Sequence, residues 1–353
     1  MSVNRLVVVA VAVVVGAVLA GCSGAASSAR PTTSPTATPT PTPSRASAPS
    51  LRVPATCDEL VPASVIAKAR TAVAPLTVTP APTPAAYADE RAGVLSCSWS
   101  SAEQWGNTAA VQIWLKVVPD ATSQAIADDR NGSFGLGTTQ TVAGSPDSFR
   151  SCAEGFFQLC GFEALAGGYG ISVGVWDYGS ATFASQSAVL DAFIAATVPA
   201  VTALPAPAPL WQPEGAGLRG ASDCDALLTI PQLLSATGWQ GAHAYKGDDG
   251  ENALSTLETN RRVGSYWCAF SSDQASEGVS ASVLPGGASF APAARPSDAV
   301  DLPGVGESAY VTPDGELNVI AAHGWVQVQG KTLSREQLTA LAKQVLVNVG
   351  YTG

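Results

Sequence analysis

Residues 170–174 (GISVG) have the glycine–serine–glycine spacing of a nucleophile elbow, with Ser172 in the position of the nucleophile. Such an elbow follows a strand, turns sharply into a helix and needs Asp and His partners. Here apolar residues alternate through the segment as in one strand, and the two histidines, His243 and His323, come much later. We therefore expect a strand with small residues on one face and assign no catalytic residue.

Two loops and the histidines are the remaining candidates for binding chemistry. Residues 247–252 (GDDGEN) cluster three acidic side chains but lack the alternating oxygen ligands of a calcium loop. A solvated loop is expected there, with a weak cation site as the alternative. Residues 132–137 (GSFGLG) lack the Lys-Ser/Thr of a phosphate loop and are expected to be flexible. His243 and His323 are expected on the surface or in turns, so no metal or cofactor is assigned.

The eight tryptophans could bind a ligand by stacking. Trp99 and Trp267 are expected to pack beside cysteines. Trp105, Trp211 and Trp239 fall in loop-like sequence, where packing between domains is expected and stacking on a sugar or an apolar ligand is the alternative.

The amino terminus has the pattern of an export signal. Arg5 precedes an apolar run over residues 6–20, which fits the roughly 7–15 residues of a signal-peptide core better than the about 20 of a membrane span. The run ends in Leu-Ala-Gly-Cys, which resembles the lipobox of bacterial lipoproteins. That resemblance implies cleavage before Cys22 and lipid on its sulfur; an ordinary signal is the alternative.

Residues 22–52 are rich in Pro, Thr and Ser and hold almost no large apolar side chain. Such a segment forms no core and favours polyproline II at about 3.1 Å per residue, a reach on the order of 90 Å. A disordered tether is expected, with glycans on its threonines as a compatible reading.

The charge of the remaining chain disfavours nucleic acid as a partner. The net charge of −10 comes from −7 in each of residues 53–203 and 204–353, offset by +4 before residue 53. Acidic domains lack the clustered Lys and Arg that nucleic acid or an anionic lipid surface requires. Contact with the membrane would therefore come from lipid on Cys22.

Two halves of the chain repeat the same order of motifs. CDELVPASVIAKA begins at Cys57 and CDALLTIPQLLSATG at Cys224; CSWSS follows at Cys97 and CAFSS at Cys268. Strand-like runs come next in each half, then GSPDSF or GVGESAYV, then strands and a helix. A Pro-rich joint near residues 198–215 separates the halves. The repeat predicts a duplication.

Six cysteines beyond Cys22 allow fifteen pairings, and the repeat reduces them. The second half holds two, which predicts Cys224–Cys268 and, by analogy, Cys57–Cys97. Cys152–Cys160 then remains. An oxidising, exported location permits all three bonds. Metal binding by thiols is the alternative, disfavoured because no C-x-x-C occurs.

Local signals mark the elements that close each half. In the second half they predict strands near 308–311, 316–321 and 325–329, a TPDG turn at 312–315 and a tight turn at His323-Gly324. The last helix has a Ser334/Gln337 capping box and Gly350 as its left-handed cap. In the first half, strands near 156–166 and 171–176 precede a helix over 182–198. Strands beside one or two helices give an α+β class.

These motifs resemble actinobacterial lipoproteins of the "domain of unknown function" type. Cys57-Asp58 with Leu60, Cys97-x-Trp99, Cys224-Asp225 with Leu227, and residues 304–309 (GVGESA) carry the resemblance, whereas Phe270 and residues 144–149 depart from it. A similar fold occurs in extracellular sensor domains of mycobacterial receptor kinases. The resemblance implies fold and location, and it carries over no binding residue.

Together these patterns predict a signal peptide (1–21), a tether (22–52), a first α+β domain (53–200), a Pro-rich linker (201–217) and a second α+β domain (218–353). Each domain is expected to be an antiparallel sheet with flanking helices, pinned by disulfides. The expected function is a non-catalytic lipoprotein that is anchored on the extracytoplasmic face of the cell membrane and binds or senses an unidentified envelope ligand or protein. An envelope hydrolase with an unrecognised carboxylate pair and a structural wall protein are the alternatives.

Overall fold

Two antiparallel sheets, one from each half of the chain, organise the protein. The computed structural model describes residues 48–69, 71–101, 111–131, 140–142, 145–153, 158–177, 183–246, 258–273 and 278–353. The signal and most of the tether therefore lie outside the described residues, and residues 45–353 group into one compact unit.

The first half forms a six-stranded sheet with the order β1-β2-β3-β6-β5-β4. Its strands are β1 Ala74–Pro75, β2 Leu95–Ser100, β3 Val111–Pro119, β4 Ser148–Ala153, β5 Gln158–Ala166 and β6 Tyr169–Asp177. Its helices are α1 Cys57–Leu60, α2 Ala63–Ile66, a 3-10 helix Pro84–Tyr87, α3 Ala88–Ala92, α4 Ser123–Asn131 and α5 Phe183–Thr202.

The second half forms a seven-stranded sheet with the order β10-β11-β12-β13-β9-β8-β7. Its strands are β7 Ala242–Lys246, β8 Tyr266–Ser272, β9 Gly278–Leu284, β10 Val300–Asp301, β11 Ser308–Val311, β12 Glu316–Ala321 and β13 Gly324–Gln329. Its helices are α6 Cys224–Leu227, α7 Ile230–Thr237, α8 Glu258–Val263, α9 Ala291–Ala294 and α10 Arg335–Asn348.

The two halves share one topology. In each sheet, the first three strands of that half lie side by side in chain order, starting from one edge. The last strand of the half then pairs with the third of these strands. The second sheet adds only β10 at its far edge. The α+β class with two antiparallel sheets is confirmed, and the shared strand order agrees with the duplication inferred from the motifs.

One face of each sheet packs on the closing helix of its half. In β3, Ile113, Leu115 and Val117 are fully buried because alternation turns them toward α5, whose Leu190 and Phe193 are also buried. In the second half, side chains of β12 and β13 pack with the apolar stripe of α10. The helix–sheet layers therefore supply one hydrophobic core per half.

A third cluster joins the halves. Tyr87, Val118 and Phe149 of the first half pack with Leu284 and Trp325 of the second. Tyr87 lies 5.7 Å from Trp325 between ring centroids, and Trp325 has no exposed surface. The two sheets are thus connected through buried apolar contacts as well as through the joint.

Two arginines at equivalent positions tie each half to the other. Arg91, just before the last residue of α3, donates from Nε to Pro285 O at 3.0 Å, directly after β9. Arg262, just before the last residue of α8, donates to Pro119 O at the end of β3 and to Asp120 O, the latter at 2.5 Å. Burial lowers the pKa of Arg91 to about 10, so its guanidinium stays charged near neutral pH. The contacts are reciprocal, as a twofold relation between the halves requires.

The joint between the halves is packed against the first domain. Helix α5 continues to Thr202, beyond the expected end of the helix at 198. Tyr169 then donates its hydroxyl to Pro205 O at 2.9 Å, and Arg52 donates from Nε to Ala208 O at 2.6 Å. Arg91 lies 5.0 Å above the Trp211 ring. Composition indicated the linker, but these contacts fix its path.

Three disulfides pin the sheets at the places that the repeat indicated. Cys57–Cys97 joins α1 to β2, and Cys224–Cys268 joins α6 to β8, with Cα atoms 5.8 and 5.7 Å apart. Cys152–Cys160 links β4 to β5. Because disulfides persist in oxidising compartments, they indicate an extracytoplasmic protein.

The local signals of the last helix and its hairpins hold with one shift. Ser334 and Gln337 form the capping box, and Gly350 takes positive φ while Tyr351 N donates to Leu346 O at 2.8 Å, which closes a left-handed cap. The second tight turn lies one residue earlier than expected, because Ala322 and His323 are its positive-φ residues and β13 begins at Gly324.

Candidate functional site

The face of the first sheet that looks away from α5 carries an unusual set of side chains. Alternation along β3 places Gln112, Trp114 and Lys116 on this outer face, since the residues between them enter the core. Strand β6 pairs antiparallel with β3, so Gln112 lies opposite Trp176 and Trp114 lies opposite Gly174. We call Gln112, Trp114, Gly174 and Trp176 the tryptophan–glutamine cluster.

The two indoles of the cluster form a partly exposed aromatic pair. The Trp114 and Trp176 ring centroids lie 5.3 Å apart with the planes at 90°, an edge-to-face arrangement. A Cβ built on Gly174 would lie 1.8 Å from Cζ2 of Trp114. The missing side chain of Gly174 therefore lets the Trp114 ring lie across the sheet. Both rings keep exposed surface while the strands beneath are buried.

Gln112 is the polar group of the cluster. Its side chain has no exposed surface, and neither Nε2 nor Oε1 makes a hydrogen bond within the part of the chain that the structure describes. Leaving a buried polar atom unsatisfied costs about 1–3 kcal/mol, and most such atoms in proteins find a partner. The buried amide offers one donor site and one acceptor site side by side to a molecule outside this chain.

A row of reactive residue types crosses the same face but lacks an activated nucleophile. Ser172 pairs with Lys116 on one side and with Glu163 on the other. The Ser172 hydroxyl makes no hydrogen bond among the described residues, and Lys116 is held by Asp89 with Nζ 2.8 Å from Oδ2. A serine nucleophile needs a base within hydrogen-bond reach. Ser172 also lies inside β6 rather than at a strand–helix turn, as the strand interpretation of residues 170–174 expected.

The equivalent face of the second sheet is covered by the chain itself. Asn318 Oδ1 accepts from Trp325 Nε1 at 2.9 Å and from Gln327 Nε2 at 3.1 Å. Gln327 Nε2 also donates to Pro82 O at 2.9 Å, in the segment that leads into the 3-10 helix. Gln327 of that face therefore binds the first half, whereas the tryptophan–glutamine cluster holds an amide with no such partner among the described residues.

The histidines lie apart from this cluster. His243, on β7, lies 2.7 Å from Asp273 between Nδ1 and Oδ1, and both side chains are about half exposed. His323 lies exposed in the turn before β13. Both positions match the expectation of surface or turn residues. The described residues hold no group of three or more His, Cys, Asp or Glu side chains that could bind a metal ion.

The tryptophans singled out from the sequence differ in their surroundings. Trp99 is buried in the core of the first half, as expected, but Trp267 is 36% exposed on the outer face of β8, so its expected packing was wrong. Side chains alternate along β8, and Trp267 points away from the core that holds Cys268. Trp211 packs with Arg91, and Trp239 packs on the second core.

Several predicted features lie outside the described residues: Cys22, the loops at 132–137 and 247–252, and Trp105. Across the helices that are described, length and apolar character fall short of what a membrane crossing would need. The cluster itself was missed, although the alternation in VQIWLKVV and in GISVGVWD showed which residues share a face.

Comparisons with known proteins add no assignment. A scan against protein-family models, a search of curated proteins and a search of solved structures each gave no match.

Proposed function

We propose that this chain is a lipid-anchored protein of the cell envelope that binds a ligand on the outer face of its first sheet and does not transform it. The observation that carries the proposal is the tryptophan–glutamine cluster, in which partly exposed indoles lie beside a buried amide whose two polar atoms have no hydrogen-bond partner among the described residues. Aromatic walls with a few placed polar groups are typical of small-molecule sites.

The location rests on two further observations. Three disulfides indicate an oxidising compartment. The lipobox-like residues before Cys22 and the Pro-rich segment that follows support a lipid anchor with a tether. The resemblance to actinobacterial lipoproteins and to receptor-kinase sensor domains points the same way. A tether on the order of 90 Å would carry the cluster away from the bilayer.

The anchor is tested by replacing its attachment atom. For Cys22→Ser we expect loss of labelled palmitate and a shift from the membrane fraction to the soluble or secreted fraction, because the serine oxygen does not form the thioether. Ser23→Ala is the matched control and should stay in the membrane. If the Cys22→Ser protein takes up no palmitate label and still stays in the membrane fraction, lipid anchoring is contradicted.

Binding is tested by capture from envelope extract on the full-length protein. Wild-type protein should retain a component, identified by mass spectrometry, that the double variant Trp114→Ala/Trp176→Ala does not retain. Trp267→Ala is the control, since Trp267 is an exposed tryptophan on the outer face of the other sheet. Equal retention by all three proteins would argue against a binding role for the cluster.

A further inference from the structure

We infer that the ligand of the tryptophan–glutamine cluster is a neutral carbohydrate; this inference rests on the proposed function and specifies its ligand. The cluster combines two partly exposed indoles with one buried amide, and none of its four residues is charged. A sugar ring matches this combination, because its C–H groups form apolar faces while its hydroxyl or acetamido groups project from the rim.

The amide sets the hydrogen-bonding requirement. Nε2 of Gln112 donates and Oε1 accepts, and both atoms lack a partner within the described part of the chain. A ligand that satisfies both atoms must present an acceptor and a donor next to each other. Neighbouring hydroxyls of a hexose do so, and so does the acetamido group of an N-acetyl sugar.

The indoles set the shape requirement. Trp114 and Trp176 stand edge to face, 5.3 Å apart between centroids, so a ligand that lies flat on one ring stands at a right angle to the plane of the other. Gln112 lies directly opposite Trp176 and two residues before Trp114, and its amide has no exposed surface. Because the amide is covered, a ligand reaches it only after neighbouring side chains move, and a ligand that packs on the indoles should change the tryptophan fluorescence.

The charges on the same face favour a neutral ligand. Lys116, next after Trp114 on this face, has its ammonium 2.8 Å from the Asp89 carboxylate, so it is already compensated. Glu163 lies two strands from Lys116 on the same row and is fully buried. On β3 and β6 an anionic sugar would find only the already paired Lys116, so its charge would lose hydration without gaining an ion pair.

The test uses the full-length protein in a polyoxyethylene detergent, because sugar-based detergents would compete. Maltotriose, mannotriose and triacetylchitotriose are titrated by calorimetry and by tryptophan fluorescence, with trigalacturonic acid as the charged comparison. We expect at least one neutral trisaccharide to bind and to shift the emission, with the charged sugar at least about tenfold weaker. Comparison of triacetylchitotriose with the two sugars that carry only hydroxyls shows which donor–acceptor pair Gln112 binds.

Three cluster variants and one control variant assign the binding to the cluster. Trp114→Ala and Trp176→Ala should each weaken the sugar by about tenfold or more, while Trp267→Ala binds as wild type. Gln112→Leu should also weaken binding, yet its unfolding midpoint without sugar should stay the same or rise, because the substitution removes two buried atoms that have no hydrogen-bond partner among the described residues. A merely structural Gln112 would instead lower the midpoint. If an alanine variant loses its circular dichroism signal, Trp114→Phe and Trp176→Phe replace it.

The inference is overturned if no neutral sugar binds, if trigalacturonic acid binds as well, or if Trp267→Ala weakens binding as much as the cluster variants. Capture of an envelope component that depends on Trp114 and Trp176, together with no sugar binding, would leave the proposed function standing without this ligand. Absence of both would remove the inference and the proposed function together.

Discussion

Gly174 shows how one missing side chain shapes the candidate site. The Trp114 ring occupies the space that a Cβ at this position would need, with 1.8 Å between the two carbon positions. Gly174 lies in a strand interior, where glycine is otherwise unfavourable. The position of the indole is therefore specified by the strand opposite it as well as by its own.

We predict that Gly174→Ala displaces the Trp114 indole and lowers the free energy of unfolding by about 1–3 kcal/mol, the usual cost of overpacking. Gly278→Ala is the matched control, since the nearest atom to its Cβ would be Phe270 O at an ordinary 3.6 Å. Urea denaturation measures the difference, and near-ultraviolet circular dichroism reports the indole. Equal stability of Gly174→Ala and Gly278→Ala would show that the Trp114 indole moves without a measurable loss of unfolding free energy.

Glu316 gives a pH dependence with a defined sign. Burial raises its pKa above the ordinary value of 4.5, although the Thr312 hydroxyl, donating at 3.4 Å, opposes the shift. The folded protein then binds the proton more tightly than the unfolded chain. Stability therefore falls as the pH rises from 4.5 through the folded pKa.

We predict that Glu316→Gln removes this decline, as measured by unfolding free energies at a series of pH values from 4 to 7. Glu59 provides the opposite case, because hydrogen bonds from Thr56 lower the pKa of its carboxyl. Glu59→Gln should therefore be less stable than wild type above pH 4.5. The difference should shrink as the pH falls through the lowered pKa of Glu59. Parallel pH curves for wild type and Glu316→Gln would contradict the assignment.

At the scale of elements, the contacts that join α3 and α8 to the opposite halves are more specific than the apolar packing around them. Arg262 donates to backbone carbonyls at the end of β3 and also to Glu258 Oε1 at 2.6 Å, with its side chain only 15% exposed. Pro119 is the last residue of β3 and Asp120 follows it, so the guanidinium binds the backbone where the strand ends.

We predict that Arg262→Ala lowers the free energy of unfolding by about 2–4 kcal/mol, because it removes charge-assisted hydrogen bonds and leaves a partly buried carboxylate. Its neighbour Arg261 is the control: its side chain is 63% exposed and lies 3.8 Å from Asp128, so Arg261→Ala should cost less than about 0.5 kcal/mol. Guanidinium denaturation measures the free energy of unfolding of both variants. Similar losses for the two would contradict a stabilising role for the specific contacts of Arg262.

Elements that depend on local chemistry could be predicted from the sequence. The capping box at Ser334, the Gly315 turn and the Gly350 cap need only neighbouring residues, and all three occur. The tight turn before β13 was placed one residue late because Ala322 and His323 adopt positive φ without glycine, against the usual preference.

The candidate site could not be predicted in the same way. Alternation shows that Gln112 and Trp114 share a face, but their meeting with Trp176 depends on β3 pairing with β6, about 60 residues later. Which of two faces packs on α5 is likewise decided by the tertiary fold. That the Gln112 side chain makes no hydrogen bond to any described residue becomes visible only in the folded structure.

At the scale of the molecule, the third apolar cluster makes the two halves interdependent. Trp325 is fully buried there, donates to Asn318 and packs against Tyr87 from the first half. Its burial is therefore shared between the sheets. Domains with a large apolar interface are expected to unfold together.

We predict that Trp325→Ala costs about 3–5 kcal/mol and speeds hydrogen exchange in β3 of the first half as well as in β9 of the second. Val347→Ala is the control, because Val347 is 63% exposed and should change stability by less than about 0.5 kcal/mol. Faster exchange confined to the second half would mean that the halves open independently.

The reciprocal contacts of Arg91 and Arg262 are those of an isologous dimer, in which residue i touches j and j touches i. Fusion of the two protomers into one polypeptide makes this association intramolecular, so it survives at any dilution. After fusion, the two surfaces can also differ from each other in sequence. The outer face of the second sheet binds the first half through Gln327. The outer face of the first sheet instead carries the paired indoles and the Gln112 amide, which makes no hydrogen bond to any described residue.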